Sequence, residues 1–210
     1  MTDPSGRASS APRFHFDLTD PLSYAVELEL GSLARSGPRR YDLAAVERVP
    51  ITSRGVLTDT ADPAWARRLK SAREAVPALP LASDFTETPP LLVPDPGKAH
   101  ELVLFASGHD QAARATAALF HAFFAEGRDI GRIDVLVKIG RRLGLSEGEV
   151  KVTLDLDIHA AELATRSTRA RERGIELPCL TLGEPDDPEF RVFRGYHGAL
   201  EIADFLFHGG

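Results

Sequence analysis

Cysteine is almost absent from this 210-residue chain, in which Cys179 is the only one. A single thiol excludes an internal disulfide and also the pair of thiols that dithiol–disulfide exchange requires. A lone cysteine is typical of a reducing compartment. The first dozen residues lack the apolar core of a signal peptide, and no apolar run approaches the length of a membrane span. We therefore expect a cytoplasmic protein that does not enter a membrane.

The chain also lacks a basic excess. It has 25 Lys and Arg residues against 31 Asp and Glu residues, for a net charge of -6. Nucleic-acid binders usually carry a positive excess, so we do not expect that function. There is no glycine-rich phosphate loop, and the seven histidines show no recognised metal-ligand spacing. Asp155, Asp157 and His159, for example, are spaced by two and do not share a helix face, so we expect no metal site.

The composition, with 43% hydrophobic and 27% charged residues, is that of a globular protein. Residues 1–12 are predicted to form a disordered tail, and residues 13–210 a single domain. Alternating bulky and polar residues predict a strand over 13–18, followed by a helix that begins at Pro21 and ends near 36–38. A second strand is predicted over 40–49, and a turn-rich stretch follows it.

The middle of the chain is predicted to be helical. Asp62 and Pro63 begin a short helix, and prolines then interrupt the chain as far as residue 97. Apolar spacing predicts further helices at 99–106, 111–125, 134–143, from 146, and at about 158–173. Strands at 177–182 and 190–193 and a helix at 199–207 follow. The order is β-α-β, a helical block over about 60–172, and β-β-α, which predicts an α/β fold.

The turn between the first strand and the first helix is the most informative segment. Asp20 and Pro21 are typical of a helix start. Free backbone N–H groups and the positive end of a helix dipole meet at such a point. The same field stabilises an anion, which is why some enzymes place a reactive sulfur or hydroxyl there. This turn is therefore the predicted site.

Five passages resemble one protein family. They are Phe16 to Tyr24, Lys98 to Glu101, Leu119 to Ile130, Arg171 to Pro178, and Arg194 to His197. Together they are similar to the DsbA family, in particular its cytoplasmic FrnE-like branch. That branch is related to 2-hydroxychromene-2-carboxylate isomerases and kappa-class glutathione transferases. The resemblance runs from about residue 13 to 207 and implies a DsbA-like thioredoxin fold with an all-helical insertion.

The resemblance also implies a set of site residues. FrnE-like proteins have a Cys-Pro-Trp-Cys-Tyr type motif at the helix start, and the isomerases and transferases have a Ser-Pro-Tyr/Trp-Ser type motif. Asp20 and Ser23 stand at the two positions that carry the cysteines, and they are the implied catalytic positions. The residues implied for substrate binding are Pro21, Tyr24, Leu177 and Pro178. In this family the loop with Pro178 holds a cis peptide bond and faces the helix start.

Each of these residues also has a purely structural interpretation. Asp20 could act as a base or bind a polar substrate group, but as a helix N-cap it would contribute about 0.5–2 kcal/mol with no other role. Ser23 is expected to be a solvated or backbone-bonded helix residue, since a serine nucleophile needs a base within reach. Tyr24 is expected to pack against the first strand.

Three features outside the turn have similar alternatives. Cys179 could form a mixed disulfide with glutathione, but a free cysteine in an apolar strand is usually buried. His15 could transfer a proton to the site, although a core or surface histidine is more common. The arginines between residues 166 and 173 are predicted to form a solvated helix face.

The leading functional hypothesis is a FrnE-type member of the DsbA-like oxidoreductase family whose degenerate site does not exchange dithiols. The first alternative is a glutathione-dependent isomerase or transferase, with glutathione as its cofactor. The second is a non-catalytic module in which Leu177 and Pro178 pair with an extended peptide as a strand would. The expected partner is thus a small-molecule thiol or an extended peptide, and the resemblance alone implies a homodimer.

Overall fold

A computed structural model of the protein describes residues 12–36, 47–50, 58–59, 63–75, 92–183 and 187–207. The described elements follow the predicted order. They are β1 (Arg13–Phe16), α1 (Pro21–Ser36), β2 (Glu47–Pro50), β3 (Thr58–Asp59), α2 (Pro63–Ala75), β4 (Leu92–Val93), α3 (Gly97–Ser107), α4 (Ala112–Phe124), α5 (Ile133–Arg142), α6 (Glu147–Asp155), α7 (Ala160–Glu172), β5 (Cys179–Leu182), β6 (Arg191–Arg194) and α8 (Ala199–Phe207).

The main sheet has four strands in the order β2-β1-β5-β6. β1 lies parallel to β2, and the β1–β5 and β5–β6 pairs are antiparallel. In the β1–β5 register, Arg13 is opposite Thr181 and His15 is opposite Cys179. The helical block from α2 to α7 therefore separates β2 from β5 in sequence, while β1 lies between those two strands in the sheet. This places the start of α1 beside the chain that enters β5.

Side chains of β1 alternate between the two faces of the sheet, as a strand requires. Phe14 and Phe16 are fully buried on one face, where the Phe16 ring lies 5.7 Å from that of Phe120 in α4. Arg13 and His15 are half-buried and point to the other face. The two faces therefore have different neighbours, a large apolar core on one side and a polar cavity near α7 on the other.

The helical block packs through the apolar core, and a small ionic network and a close helix approach add to it. Lys98 forms ion pairs with Asp157 and with the buried Glu101, the latter at 3.2 Å. The Glu101 carboxylate also accepts a hydrogen bond from the His159 backbone N–H just before α7. A Cβ at Gly140 would lie only 3.0 Å from Val150, so the absence of a side chain there lets α5 and α6 pack closely.

Several boundaries and one pair of strands differ from the sequence predictions. β1 and β5 are shorter than predicted, because Asp17 begins a turn and Pro178 precedes β5. The short sheet of β3 and β4 was not predicted, since two-residue strands carry no periodic signal. Ser146 accepts a hydrogen bond from the Glu149 N–H at the start of α6, as the capping-box spacing predicts.

Parts of the predictions lie outside the described residues. These are the N-terminal tail, most of the second predicted strand, and much of the proline-rich stretch before residue 92. The assignment of residues 13–210 to a single domain stays a prediction. None of the described helices combines the length and the apolar character needed to cross a bilayer.

Candidate functional site at the start of helix α1

The turn between β1 and α1 is stabilised by the side chain of Asp17. Its Oδ1 accepts hydrogen bonds from the backbone N–H and the hydroxyl of Thr19, at 2.8 and 2.7 Å. The Asp20 N–H donates to the Asp17 carbonyl at 3.0 Å. Asp17 is almost fully buried, and a ring nitrogen of the buried His100 lies 3.9 Å from the same oxygen. The turn thus holds the first residues of α1 in one arrangement.

Asp20 is the N-cap of α1. Its Oδ2 accepts the Ser23 backbone N–H at 2.8 Å, which is the capping bond predicted from the sequence. The Ser23 hydroxyl also donates to Oδ2, at 2.7 Å. The prediction of a solvated Ser23 is wrong, whereas a bond to the backbone does form, from the Asp17 N–H. Ser23 is fully buried, and its hydroxyl donates to the Asp20 carboxylate. The same hydroxyl accepts a hydrogen bond from the Asp17 backbone N–H at 3.4 Å.

The remaining oxygen of Asp20 is bound by Arg68, a residue that the sequence analysis did not identify. The Arg68 Nε donates to Asp20 Oδ1 at 2.6 Å, and Nη2 donates to the Leu177 carbonyl at 2.9 Å. Burial by itself lowers the pKa of Arg68, but the hydrogen bond and the charge of Asp20 outweigh it, so the pKa is raised. One guanidinium therefore joins the start of α1 to the chain that enters β5.

Helix α2 is fixed in place so that Arg68 can reach both partners. Trp65, Leu69 and Ala72 form its buried stripe. The Trp65 indole N–H donates to the Thr19 carbonyl at 2.8 Å, directly before Asp20. Arg68 follows Trp65 by three residues and so lies on the same side of the helix. A tryptophan in an otherwise polar helix was the sequence signal that α2 packs at this site.

The peptide bond between Leu177 and Pro178 is cis, as the resemblance implies. Pro178 is buried, and its carbonyl accepts a hydrogen bond from the Gly195 N–H at 2.8 Å. Gly195 has a φ of +82°, which a residue without Cβ adopts most easily. The Leu177 carbonyl is occupied by Arg68, so this part of the loop is not open for an extended ligand in the present arrangement.

Tyr24 and Pro21 are both buried at the beginning of α1. Tyr24 shares one apolar core with Phe14 and Phe16, and its predicted packing against the first strand stays a prediction. Its ring stacks on Phe124 and Phe120 of α4, with centroid distances of 5.0 and 5.4 Å. Tyr24 therefore joins α1 to the helical block, as part of the apolar core.

Cys179 lies immediately after the cis peptide bond and is 1% exposed, which confirms the prediction of a buried thiol. Burial raises the pKa of its thiol to about 11, against a smaller opposing effect from the charge of Arg194. Because the thiolate is the reactive form of cysteine, this residue is poorly suited to attack a disulfide.

His15 is not brought to the site. Its Nε2 lies 3.0 Å from the Thr181 hydroxyl on the opposite face of the sheet from Phe16. The pKa of His15 is lowered to about 4, first by burial and then by the charges of Arg13, Arg166 and Arg173. The predicted solvated arginine face is confirmed, since Arg169, Arg171 and Arg173 are exposed and Arg166 is half-buried. Three of these four arginines also line a cavity that contains His15.

The site provides a fixed carboxylate–guanidinium pair at a helix N-terminus and no thiol. Both oxygens of Asp20 accept hydrogen bonds from the chain itself, so this carboxylate is not a free base in the present arrangement. Within the described part of the chain, no group of three His, Cys, Asp or Glu residues could hold a metal ion.

Comparisons with known proteins agree with this architecture. The family model described as "DSBA-like thioredoxin domain" matches residues 81–188. A probable DsbA oxidoreductase from Streptomyces coelicolor has a TM-score of 0.70 at 16% identity, over 94% of this chain and 88% of that chain. The cytosolic disulfide reductase DsbM from Pseudomonas aeruginosa, solved with GSH, has a TM-score of 0.63 at 16% identity, over 87% and 89%.

A 2-hydroxychromene-2-carboxylate isomerase is also similar, with a TM-score of 0.58 at 18% identity, over 94% of this chain and 92% of that chain. No curated protein matches significantly. The fold is therefore the mixed α/β thioredoxin fold with a helical insertion that the sequence predicts. The single cysteine leaves it without a Cys-x-x-Cys pair.

Proposed function

Because this chain belongs to the DSBA-like thioredoxin domain family, we propose that it is a FrnE-type member that does not exchange dithiols for disulfides. The observation that carries the proposal is the arrangement at the two motif positions. Asp20 is an N-cap bound to Arg68, and Ser23 is buried and bound to Asp20. Neither residue can attack a disulfide.

The geometry also explains why a carboxylate can replace a thiolate at this position. The start of α1 favours a negative charge, whether it is carried by sulfur or by oxygen. Asp20 supplies a carboxylate there and forms an ion pair with Arg68. The site has thus kept the electrostatic arrangement of a thiol site while losing its nucleophile. The thiol of Cys179, the single cysteine of the chain, is buried.

Insulin reduction with a thiol reductant tests the proposal directly. We expect the full-length protein to give the same rate as the reductant alone, and we expect Cys179→Ser to behave identically. Catalysed reduction that survives Cys179→Ser would contradict the proposal, because that variant has no cysteine. Catalysis that depends on Cys179 would instead show that the buried thiol becomes exposed during turnover, and would contradict it as well.

Glutathione-dependent chemistry is a second candidate, and the position of Arg68 favours it. The guanidinium lies between the start of α1 and Leu177, and its side chain is 40% exposed, so a ligand carboxylate can reach it. Guanidinium groups bind carboxylates through paired hydrogen bonds. The similar disulfide reductase from Pseudomonas aeruginosa was solved with glutathione. In this reading glutathione would bring the thiol that the chain lacks.

Thermal unfolding with and without millimolar glutathione tests this candidate. A ligand that binds only the folded state raises the melting temperature by mass action. We expect Arg68→Ala to abolish the shift and Arg67→Ala, on the exposed side of α2, to retain it. S-methylglutathione, which has no free thiol, should still bind. The absence of any shift in the unchanged protein would exclude glutathione.

An extended peptide is a weaker candidate for the same cleft. Strand-like pairing with the cis-proline loop would use the backbone of Leu177. Its carbonyl already accepts a hydrogen bond from Arg68, so a peptide must displace that side chain. We therefore expect the unchanged protein and Leu177→Asp to capture the same partners in a pull-down. A partner that binds the unchanged protein but not Leu177→Asp would favour peptide binding.

A further inference from the structure

A cavity of about 620 Å³ lies between the main sheet and α7, away from the start of α1. Its polar lining comes from β1 and β5 on one side and from α7 on the other. The polar residues that matter most are Arg13, His15, Thr181, Arg166, Arg169 and Arg173. This volume falls within the range of about 300–1,000 Å³ that is typical of small-molecule sites.

The strand and helix periods place these side chains together. Arg13 and His15 are two residues apart on β1, and Thr181 is opposite Arg13 on β5, so all three share one face of the sheet. Arg166, Arg169 and Arg173 follow the three- and four-residue spacing of a helix face. The face of β1 that carries Arg13 and His15 is the opposite one from Phe14 and Phe16.

The cavity is strongly positive although the whole chain has a net charge of -6. Four arginines line it against one acidic residue, Glu162. Arg166 is paired with Glu162 at 2.8 Å, and Arg13 donates a hydrogen bond to the Gly183 carbonyl. Among the described residues, Arg169 and Arg173 make no side-chain hydrogen bond or ion pair. Like charges gathered in a concave site attract a counter-ion.

His15 lies within this positive potential. The pKa of its ring is lowered to about 4, mainly by burial and in addition by the charges of Arg13, Arg166 and Arg173. At neutral pH the ring is therefore uncharged. It contributes hydrogen-bonding capacity to the cavity floor beside Thr181, rather than a further charge.

Apolar side chains complete the wall. Val49 of β2, Ala170 of α7, Ile175 and Phe190 line the same cavity. Val49 and Ala170 are already buried, whereas Ile175 and Phe190 are partly exposed, and a bare inorganic ion would leave these two side chains in contact with water. An organic molecule with an apolar body and an anionic end would cover both kinds of surface.

We propose that this cavity is a second binding site, which takes a small organic anion with an apolar body and a carboxylate, sulfonate or phosphate group. Arg169 and Arg173 bind the anionic group, and the apolar wall covers the rest. Asp20, Arg68 and Leu177 do not line this cavity, although Leu177 packs against its lining residues Val49 and Ala170.

Fluorescence titration with 1-anilinonaphthalene-8-sulfonate tests the proposal, because this probe is an amphipathic anion. We expect saturable binding to the folded protein, weakened about tenfold by Arg169→Ala or Arg173→Ala, since each removes one charge-assisted hydrogen bond. The matched control is Arg171→Ala, which removes a charge from the same helix. The Arg171 side chain bonds to Ser167 and Thr168 and does not line the cavity. The Arg171→Ala variant should bind the probe with an affinity within about twofold of that of the unchanged protein.

The uncharged analogue N-phenyl-1-naphthylamine separates an anion site from a merely apolar one. We expect it to bind at least about tenfold more weakly than the sulfonate. Equal affinity for the two probes, equal effects of Arg171→Ala and Arg169→Ala, or no binding of the sulfonate would each overturn the proposal. Arg68→Ala should leave the titration unchanged, which keeps this result distinct from the test of the proposed function. Circular dichroism verifies that every variant is folded.

Discussion

The carboxylate of Asp20 and the carbonyl of Leu177 are held by a single guanidinium group, at 2.6 and 2.9 Å from two nitrogens of Arg68. These two residues belong to the segments that form the thiol site in related folds. Here they are joined by a side chain from α2, so one oxygen of Asp20 and the carbonyl of Leu177 are both occupied. The stability and the chemistry of the site therefore depend on the same three residues.

Removing the guanidinium should destabilise the protein. Arg68→Ala leaves Asp20, whose side chain is 10% exposed, without its cation, and we expect a loss of about 1–3 kcal/mol in the free energy of unfolding. Asp20→Asn should cost a similar amount, because asparagine keeps the N-cap bond but loses the ion pair. Urea denaturation measures both values.

The matched control and the double variant make this prediction specific. Arg67→Ala is exposed and should stay within about 0.5 kcal/mol of the unchanged protein. Combining Arg68→Ala with Asp20→Asn should cost clearly less than the sum of the two single losses, since both remove one interaction. Additive losses would mean that the ion pair does not stabilise the fold.

The thiol of Cys179 should react with iodoacetamide only when the protein unfolds. It is 1% exposed, and burial raises its pKa from 9.0 to about 11, so the thiolate fraction at mildly alkaline pH is lowered about a hundredfold. Mass spectrometry after short exposure should find no adduct in the native protein and complete alkylation in concentrated guanidinium chloride. Rapid native labelling would show that the strand opens readily.

His15 should make the protein less stable in mild acid. Its folded-state pKa is lowered from 6.5 to about 4, so between these values the unfolded chain binds a proton that the folded chain does not. The contribution is fully present above pH 6.5 and is lost as the pH falls towards 4, by up to roughly 3 kcal/mol, since one pKa unit corresponds to about 1.4 kcal/mol.

The pH dependence of His15→Gln is the measurement that isolates this effect. Glutamine cannot take up the proton, so the free energy of unfolding should fall less steeply over this pH range than in the unchanged protein. His121→Gln serves as a control because the His121 side chain is 49% exposed. If His15→Gln and the unchanged protein lose stability in parallel, other groups cause the acid sensitivity.

Tyr196→Phe should destabilise the contact between α1 and the turn after β6. The Tyr196 hydroxyl donates to Glu29, which is 3% exposed and has no other side-chain donor among the described residues. Burial, together with the hydrogen bond to Glu29 and its charge, raises the pKa of Tyr196, so the hydroxyl stays protonated and able to donate. An unpaired buried carboxylate costs about 1–3 kcal/mol.

Glu29→Gln distinguishes this hydrogen bond from simple packing. Glutamine keeps an acceptor for the Tyr196 hydroxyl while removing the buried charge, so we expect a smaller loss than for Tyr196→Phe. Thermal unfolding of both variants provides the comparison. A loss below about 0.5 kcal/mol for Tyr196→Phe would mean that water satisfies Glu29.

The sequence was sufficient to predict the features that depend on local patterns. Strand alternation in β1, the capping bonds of Asp20 and Ser146, and the burial of Cys179 all follow from residues within a few positions of one another. The cis bond before Pro178 came from the family resemblance rather than from any local pattern. These are the parts of the fold in which neighbouring residues decide the conformation.

The features that were missed depend on distant contacts. Arg68 is 48 residues from Asp20 and 109 from Leu177, and although its spacing from Trp65 places it on the packed side of α2, no local pattern identifies its two partners. To predict the burial of Ser23, one must know that α2 and the chain entering β5 cover the start of α1. To predict the cavity near α7, one must likewise know the register of β1 and β5, which the spacing of the arginines in α7 does not reveal.

The bridge formed by Arg68 bears on any attempt to install a Cys-x-x-Cys pair at the start of α1. Asp20→Cys with Ser23→Cys would return two sulfur atoms to the start of α1, but Arg68 would still hold the carbonyl beside the cis-proline. A disulfide substrate would meet a blocked backbone until a third substitution removed that cation. Each of these variants would meanwhile lose the capping and ionic interactions that now stabilise the turn, so a chain with both sulfur atoms would be less stable than the present one.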